Sequence, residues 1–364
     1  MVDENEMKAK KLASTMTLEE KVGQLFIVRP EALMNSITTD VVENISDEAG
    51  TKEATQDIIQ NMQKYNLGGF AMFAKNIKTP EQTTKMIQTL KENSKLPLFF
   101  GVDEEGGIVA RIANNPAFGV KNVDGGMQGI GATGDPTNAF KAAEYIGSYL
   151  EKYNFNLDFA PVCDVNTNPE GNNMRDRSFS NDPKVAAEMV EQYVNGLHKH
   201  NVLSTVKHFP GTGDESGDTH HKFVTINKTW DELQNCELIP FKQAIQAETD
   251  FVMVGHVEFP NVTHDDLPAS LSKEIITEKL KNELGFSGIV ITDALAMKAV
   301  DNMFPSDKAA VIALKAGVDI LLMPKDFKLA YNGVVNAVKS GEISEDELDE
   351  HLIRVLTIKE KYLF

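Results

Sequence analysis

Cysteine is scarce: 364 residues contain two, Cys163 and Cys236, far apart and in no metal-like spacing, so two free thiols are expected rather than a disulfide framework. No apolar run approaches the roughly 18 residues that a membrane-spanning helix needs. Positive charge is short as well. With 36 Lys+Arg against 54 Asp+Glu the formal charge is −18, which argues against nucleic acid and anionic membranes as partners, since both require a basic footprint. No G-x-G-x-x-G follows an apolar run, so no nicotinamide cofactor is expected. The opening MVDENEMKAKK has no apolar stretch behind it. A secretory leader is therefore not expected, and the expected location is cytoplasmic, or extracytoplasmic or lipid-anchored if a leader has been removed.

What is present is ordinary globular composition, 41% apolar and 25% charged. Short apolar runs recur along the chain at 23–29, 68–73, 97–103, 157–165, 203–209, 251–257, 288–294 and 319–324. They are continuous rather than alternating, as expected for strands buried on both faces. Helical patterns separate them at 55–66, 80–93, 138–153, 183–200, 229–247, 272–284, 305–317 and 327–341. Eight strand–helix units imply a parallel sheet and point to the (β/α)8 barrel, with a doubly wound open sheet as the structural rival. The segment 343–364 reads as a final helix on the outside. No linker interrupts the pattern, so one domain over 1–364 is expected, with no second α/β domain.

The polar clusters fall just after the proposed strands. Asp103, Glu104, Glu105 and Arg111 follow the third run, and Asp164, Asn166, Arg175, Asp176 and Arg177 follow the fourth. Lys207, His208, Asp214, Glu215, Asp218, His220 and His221 follow the fifth, His256 and Glu258 the sixth, and Asp293 the seventh. Unpaired buried charges cost several kcal/mol, so such groups are not core filler. In a barrel they converge on one pocket.

Carboxylates interleaved with guanidinium groups suit a polyhydroxylated ligand, because they form paired hydrogen bonds with neighbouring hydroxyls. Asp293 has the place of a nucleophile or an electrostatic stabiliser. Asp218 and His220, two apart in a Gly-rich loop, suggest a carboxylate orienting an imidazole for proton transfer. Together they imply acid-assisted displacement at an anomeric carbon. Blander roles stand beside these. Asp103 and Asp164 also fit as loop caps, and His208, His220, His221 and His256 as metal ligands. Against metal, the close H-x-H pair usual after the first strand of barrel metallohydrolases is missing, and no metal or organic cofactor is expected.

The motifs KHFPG (207–211) with D-T-H (218–220), ITDALAM (291–297), VDEEGG (102–107) and FAPVCDVNTNP (159–169) with RSFS (177–180) resemble those of glycoside hydrolase family 3, in its bacterial β-N-acetylglucosaminidase branch. The resemblance runs from TLEEKVGQLF (17–26) to the last helix. It implies a barrel enzyme in which Asp293 is the nucleophile, His220 the general acid/base and Asp218 its partner. It further implies that Asp103, Arg111, Arg177, Lys207 and His208 hold the sugar, with His256 near it. The substrate class implied is a GlcNAc-containing oligosaccharide or muropeptide, hydrolysed with retention. A β-glucosidase or β-xylosidase of the same family, or a sugar-binding barrel without turnover, are the rivals. Phosphorolysis is a further variant. Ile108 and Ala110 depart from the family pattern, standing where polar residues are usual.

Overall fold

The computed structural model of the chain describes residues 3–43, 49–168, 174, 176–214 and 224–364. Its strands are β1 (Phe26–Val28), β2 (Gly69–Met72), β3 (Phe99–Val102), β4 (Glu104–Gly106), β5 (Val109–Ala110), β6 (Leu157–Asp158), β7 (Leu203–Phe209), β8 (Phe251–Val254), β9 (Ile289–Thr292) and β10 (Leu321–Leu322). β4 and β5 form a small antiparallel hairpin. The other eight each lie within one of the apolar runs, and helices separate them, so the fold class is the (β/α)8 type that the alternation predicts. The chain divides into two compact units, Met1–Gly101 with Ser287–Phe364, and Val102–Phe286.

In the first unit Phe26 and Ile27 pair in parallel with Leu321 and Leu322, while Ile27 and Val28 pair with Gly69 and Phe70. Phe99 N–H donates to Gly68 O (3.1 Å), and Asp319 N–H to Val290 O (2.8 Å). The order is therefore β9-β10-β1-β2-β3. The helix Pro80–Glu92 starts where the sequence predicts, with Pro at its first position and the Thr79 side chain accepting from Gln82 N–H. The closing helix Glu345–Tyr362 buries Leu348, Leu352, Val355 and Leu356, an apolar stripe at helical spacing. Phe26, Tyr65, Phe327 and Tyr331 fill part of this core edge to face or tilted, with centroids 4.8–6.4 Å apart.

In the second unit β6, β7 and β8 are parallel neighbours. Every residue of β7 is buried. The run 157–165 yields only the two-residue β6, because Pro161 has no N–H to donate to a ladder. Contact with β7 continues through this segment: Thr205 N–H donates to Ala160 O (2.9 Å), Lys207 N–H to Pro161 O (3.3 Å), and Cys163 N–H to Lys207 O (2.7 Å). The glycine-rich stretch 113–136 contains the short helix Gly126–Gly131. Glycine is required there by close approach: a Cβ on Gly131 would lie 1.7 Å from Phe179 O, and one on Gly126 2.6 Å from Asp176 O.

Candidate active site

The second unit gathers charges that the sequence scatters from Asp103 to His208. In the extended segment Asp103–Glu105, side chains alternate, so Asp103 and Glu105 share one face and Glu104 takes the other. Lys207, near the end of β7, meets both members of the shared face: Nζ lies 3.0 Å from Asp103 Oδ1 and 2.7 Å from Glu105 Oε1. Arg177 grips Glu105 with two parallel bonds, Nε to Oε2 (2.8 Å) and Nη2 to Oε1 (2.7 Å). Arg111 Nη2 lies 3.6 Å from Asp103 Oδ2.

Exposure separates the members. The Asp103 and Arg111 side chains retain 21% and 30% of their accessible surface, against 0% for Glu105 and 3% for Lys207. The outer pair is open to a ligand and the inner pair supports it. Burial by itself would raise the Glu105 carboxyl, but the adjacent Arg177 and Lys207 cations outweigh it and hold the group down to about 2. Burial would lower Lys207, yet Glu105 and Asp103 prevail and hold it above its ordinary range. Glu105, Lys207 and Arg177 are thus all charged at neutral pH.

The pairing of β7 with β8 shifts between Lys207 and Phe209. In a regular strand consecutive side chains face opposite ways; here the irregularity lets Lys207 reach Glu105 while His208 reaches Asp164. His208 Nδ1 lies 2.7 Å from Asp164 Oδ2. The buried Asp164 also accepts from the backbone N–H of His208 (3.3 Å) and of Thr212 (2.7 Å). It is both the loop cap and the orienting carboxylate, and it favours the Nδ1–H tautomer, leaving Nε2 as the acceptor. Gly255 packs beside His208, where a Cβ would come within 3.2 Å of the His208 Cβ. The next residue, His256, is buried with Nδ1 2.7 Å from Ser270 Oγ.

Beyond the Lys207–His208 corner the chain is held at Asp214, which lies 3.4 Å from Lys228 Nζ. Asp218 and His220, with Glu215 and His221, lie outside the described residues, as does Arg175. Asp293 belongs to the first unit. It directly follows β9, is half-buried, and its Oδ1 accepts from Ala294 N–H (2.7 Å).

Glu105 is the residue that sequence reasoning undervalued. The sequence places it with its neighbours after the third run but gives it no role of its own, because V-D-E-E-G-G reads as a loop and does not show which glutamate faces Asp103. Among the described residues no group of three or more His, Cys, Asp or Glu side chains is arranged to hold a metal ion, and no helix is long and apolar enough to cross a membrane.

Comparison with known proteins agrees with the motifs. The family model described as the glycosyl hydrolase family 3 N terminal domain matches residues 17–358. Beta-hexosaminidase A of Pseudoalteromonas piscicida is 32% identical over 334 residues, covering 84% of this chain and 55% of its own length. A beta-hexosaminidase of Haemophilus influenzae (strain PittEE) is 30% identical over 297 residues, covering 81% and 82%. Among solved structures, a glycoside hydrolase family 3 beta-N-acetylglucosaminidase from Paenibacillus sp. str. FPU-7 superposes with a TM-score of 0.86 at 34% identity, over 96% of this chain and 63% of that one. The chain thus spans little more than half the length of some relatives and most of others. The chain belongs to glycosyl hydrolase family 3, and the part of that family it matches is the N-terminal domain.

Proposed function

We propose that the chain is a retaining exo-β-N-acetylglucosaminidase that removes terminal, non-reducing β-linked GlcNAc. The observation that carries this is the ion-paired Asp103–Lys207–Glu105–Arg177 cluster, with Arg111 at its open rim and Asp164–His208 next to it in the chain. Such a set offers a sugar charged donors and acceptors whose side chains are already immobilised, so little entropy is lost on binding. Relatives named beta-hexosaminidase at 30–32% identity support the choice of an acetamido sugar.

The chemistry follows double displacement. Asp293 attacks the anomeric carbon while the leaving oxygen takes a proton from His220, giving a glycosyl-aspartate and the free alcohol. Water then attacks that carbon, His220 takes the water's proton, and the bond to Asp293 breaks. An imidazole titrating near 6.5 can both give and take a proton close to neutrality, and Asp218 would stabilise its charged form. Muropeptides and chitooligosaccharides are the substrate classes consistent with such a site.

The test is kcat/KM on nitrophenyl β-N-acetylglucosaminide and nitrophenyl β-glucoside side by side. A preference of about 10³ or more for the acetamido sugar is expected, roughly 4 kcal/mol at the transition state. A preference for the glucoside overturns the branch assignment. Asp293→Ala should remove at least about 10⁴-fold of kcat. His220→Ala should lose about 10²–10⁴-fold on a poor leaving group and less on nitrophenolate; equal losses on both would take His220 out of the acid role.

A further inference from the structure

Glu104 points away from the sugar-binding cluster, and its surroundings are unusual. The side chain is fully buried. Oε2 accepts the backbone N–H groups of Arg111 (2.7 Å) and Ile112 (2.8 Å), and Oε1 accepts that of Ala113 (2.8 Å). The Tyr149 hydroxyl, from the helix Pro136–Lys152, donates to Oε1 at 2.8 Å. Three successive amides converging on one carboxylate make a concave anion nest whose anion is the protein's own side chain. All four partners are donors, so the geometry is built around the ionised form. Burial pushes this carboxyl up, and the four donors pull against it.

A buried carboxylate is a costly way to close a loop, because its desolvation must be recovered by its bonds. What it achieves here is an immobile backbone at 111–113. Arg111 springs from the first of these residues and places its guanidinium beside Asp103, the residue before Glu104. Asp103 and Glu104 are adjacent in sequence, so one short segment supplies both the group that Arg111 faces and the group that fixes where Arg111 starts. The Tyr193 hydroxyl, 3.4 Å from Glu104 O and 3.3 Å from Glu105 O, braces the same segment from a second helix.

Resting on the reading that Arg111 holds the sugar, we propose that Glu104 and Tyr149 are positioning residues that act on substrate through Arg111. Neither is expected to touch the ligand. The experiment is a double-mutant cycle on nitrophenyl β-N-acetylglucosaminide with Tyr149→Phe, Glu104→Gln and Arg111→Ala. Removing one hydrogen bond to a charged group should raise KM about 10-fold in Tyr149→Phe, and somewhat more in Glu104→Gln, with kcat changed less than about threefold. In the Arg111→Ala background both losses should shrink to less than about twofold. Losses that persist in full without Arg111, or an unchanged KM in both single variants, overturn the proposal.

Should Glu104→Gln fail to fold, Tyr149→Phe decides, since it keeps the ring and its edge contact with Tyr145 at 5.4 Å. Amide hydrogen exchange supplies a readout independent of activity. Tyr149→Phe should speed exchange at 111–113 about 10-fold while leaving β7 unaffected; no change at 111–113 overturns the proposal. A wild-type chain without turnover of the acetamido substrate sinks the hexosaminidase reading instead, and the exchange experiment then decides this one.

Discussion

Two buried charges, one in each unit, are held in opposite ways. In the second unit Glu105 is fully enclosed yet ionised, because Arg177 and Lys207 stand 2.7 Å from it. In the first unit Lys359, on the last helix, is equally enclosed, and among the described residues no carboxylate pairs with it. Its Nζ donates to Gln24 Oε1 (2.8 Å) and Gly68 O (2.9 Å), over the face of Phe99 at 4.7 Å. Neutral acceptors and a ring do not replace the lost water, and burial lowers the ammonium to about 7. Those partners precede or begin β1, β2 and β3, whereas the Glu105 cluster gathers around the ends of β3 and β7. At these two sites the charge near the C-terminal strand ends is paired and faces a binding surface, whereas the lysine near the N-terminal strand ends serves the packing of a helix. Conservation of roles in barrels follows the same division between faces.

Breaking the paired side should cost most. Glu105→Gln leaves two buried cations with one neutral partner, and a loss of about 3–5 kcal/mol is expected in denaturant unfolding, together with weaker sugar binding. A loss below about 1 kcal/mol would mean that Asp103 alone neutralises the pair.

Acid titration sharpens the comparison next. The folded-state value of Glu105 lies below its ordinary 4.5, so its stabilisation is complete above about 4.5 and lost as pH falls towards 2. The slope of stability against pH should reach about 1.4 kcal/mol per unit in that window, and should flatten in Glu105→Gln.

A second titration tests the unpaired side. Lys359 binds its proton more weakly when folded, so its cost is complete below about 7 and disappears as pH rises towards 10.5. Stability therefore rises with pH in this window too, for the opposite reason: the fold favours the neutral form. Lys359→Met should remove that rise, shown by thermal unfolding between pH 7 and 10.5. An unchanged slope would show that the lysine stays charged, held by Gln24 and the Phe99 ring.

Some of this was legible beforehand. The runs 23–29, 68–73 and 97–103 announce β1, β2 and β3, because strands buried on both faces need no polar alternation. The hairpin of β4 and β5 was not legible, since V-D-E-E-G-G-I-V-A-R mixes charge and glycine and reads as a loop. Asp103, Arg111, Arg177, Lys207 and His208 could be nominated from their places after strands and from motif. Glu104 could not be told from Glu105, for two adjacent glutamates differ only by the face of the strand they occupy. Lys359 sits in a charged helix, KEKY, where nothing local marks the one lysine that faces inward.

By itself the sequence determined the order of strands and helices, the family, and the kinds of group available for chemistry, because periodicity and spacing are local and survive without contacts. Only the tertiary structure decided which charges meet. Glu105 becomes a carboxylate held at about 2 and Lys359 an ammonium lowered to about 7 through neighbours 70 to 340 residues away in the chain. Desolvation and Coulomb terms depend on distance in space, and no pattern along the chain encodes that distance.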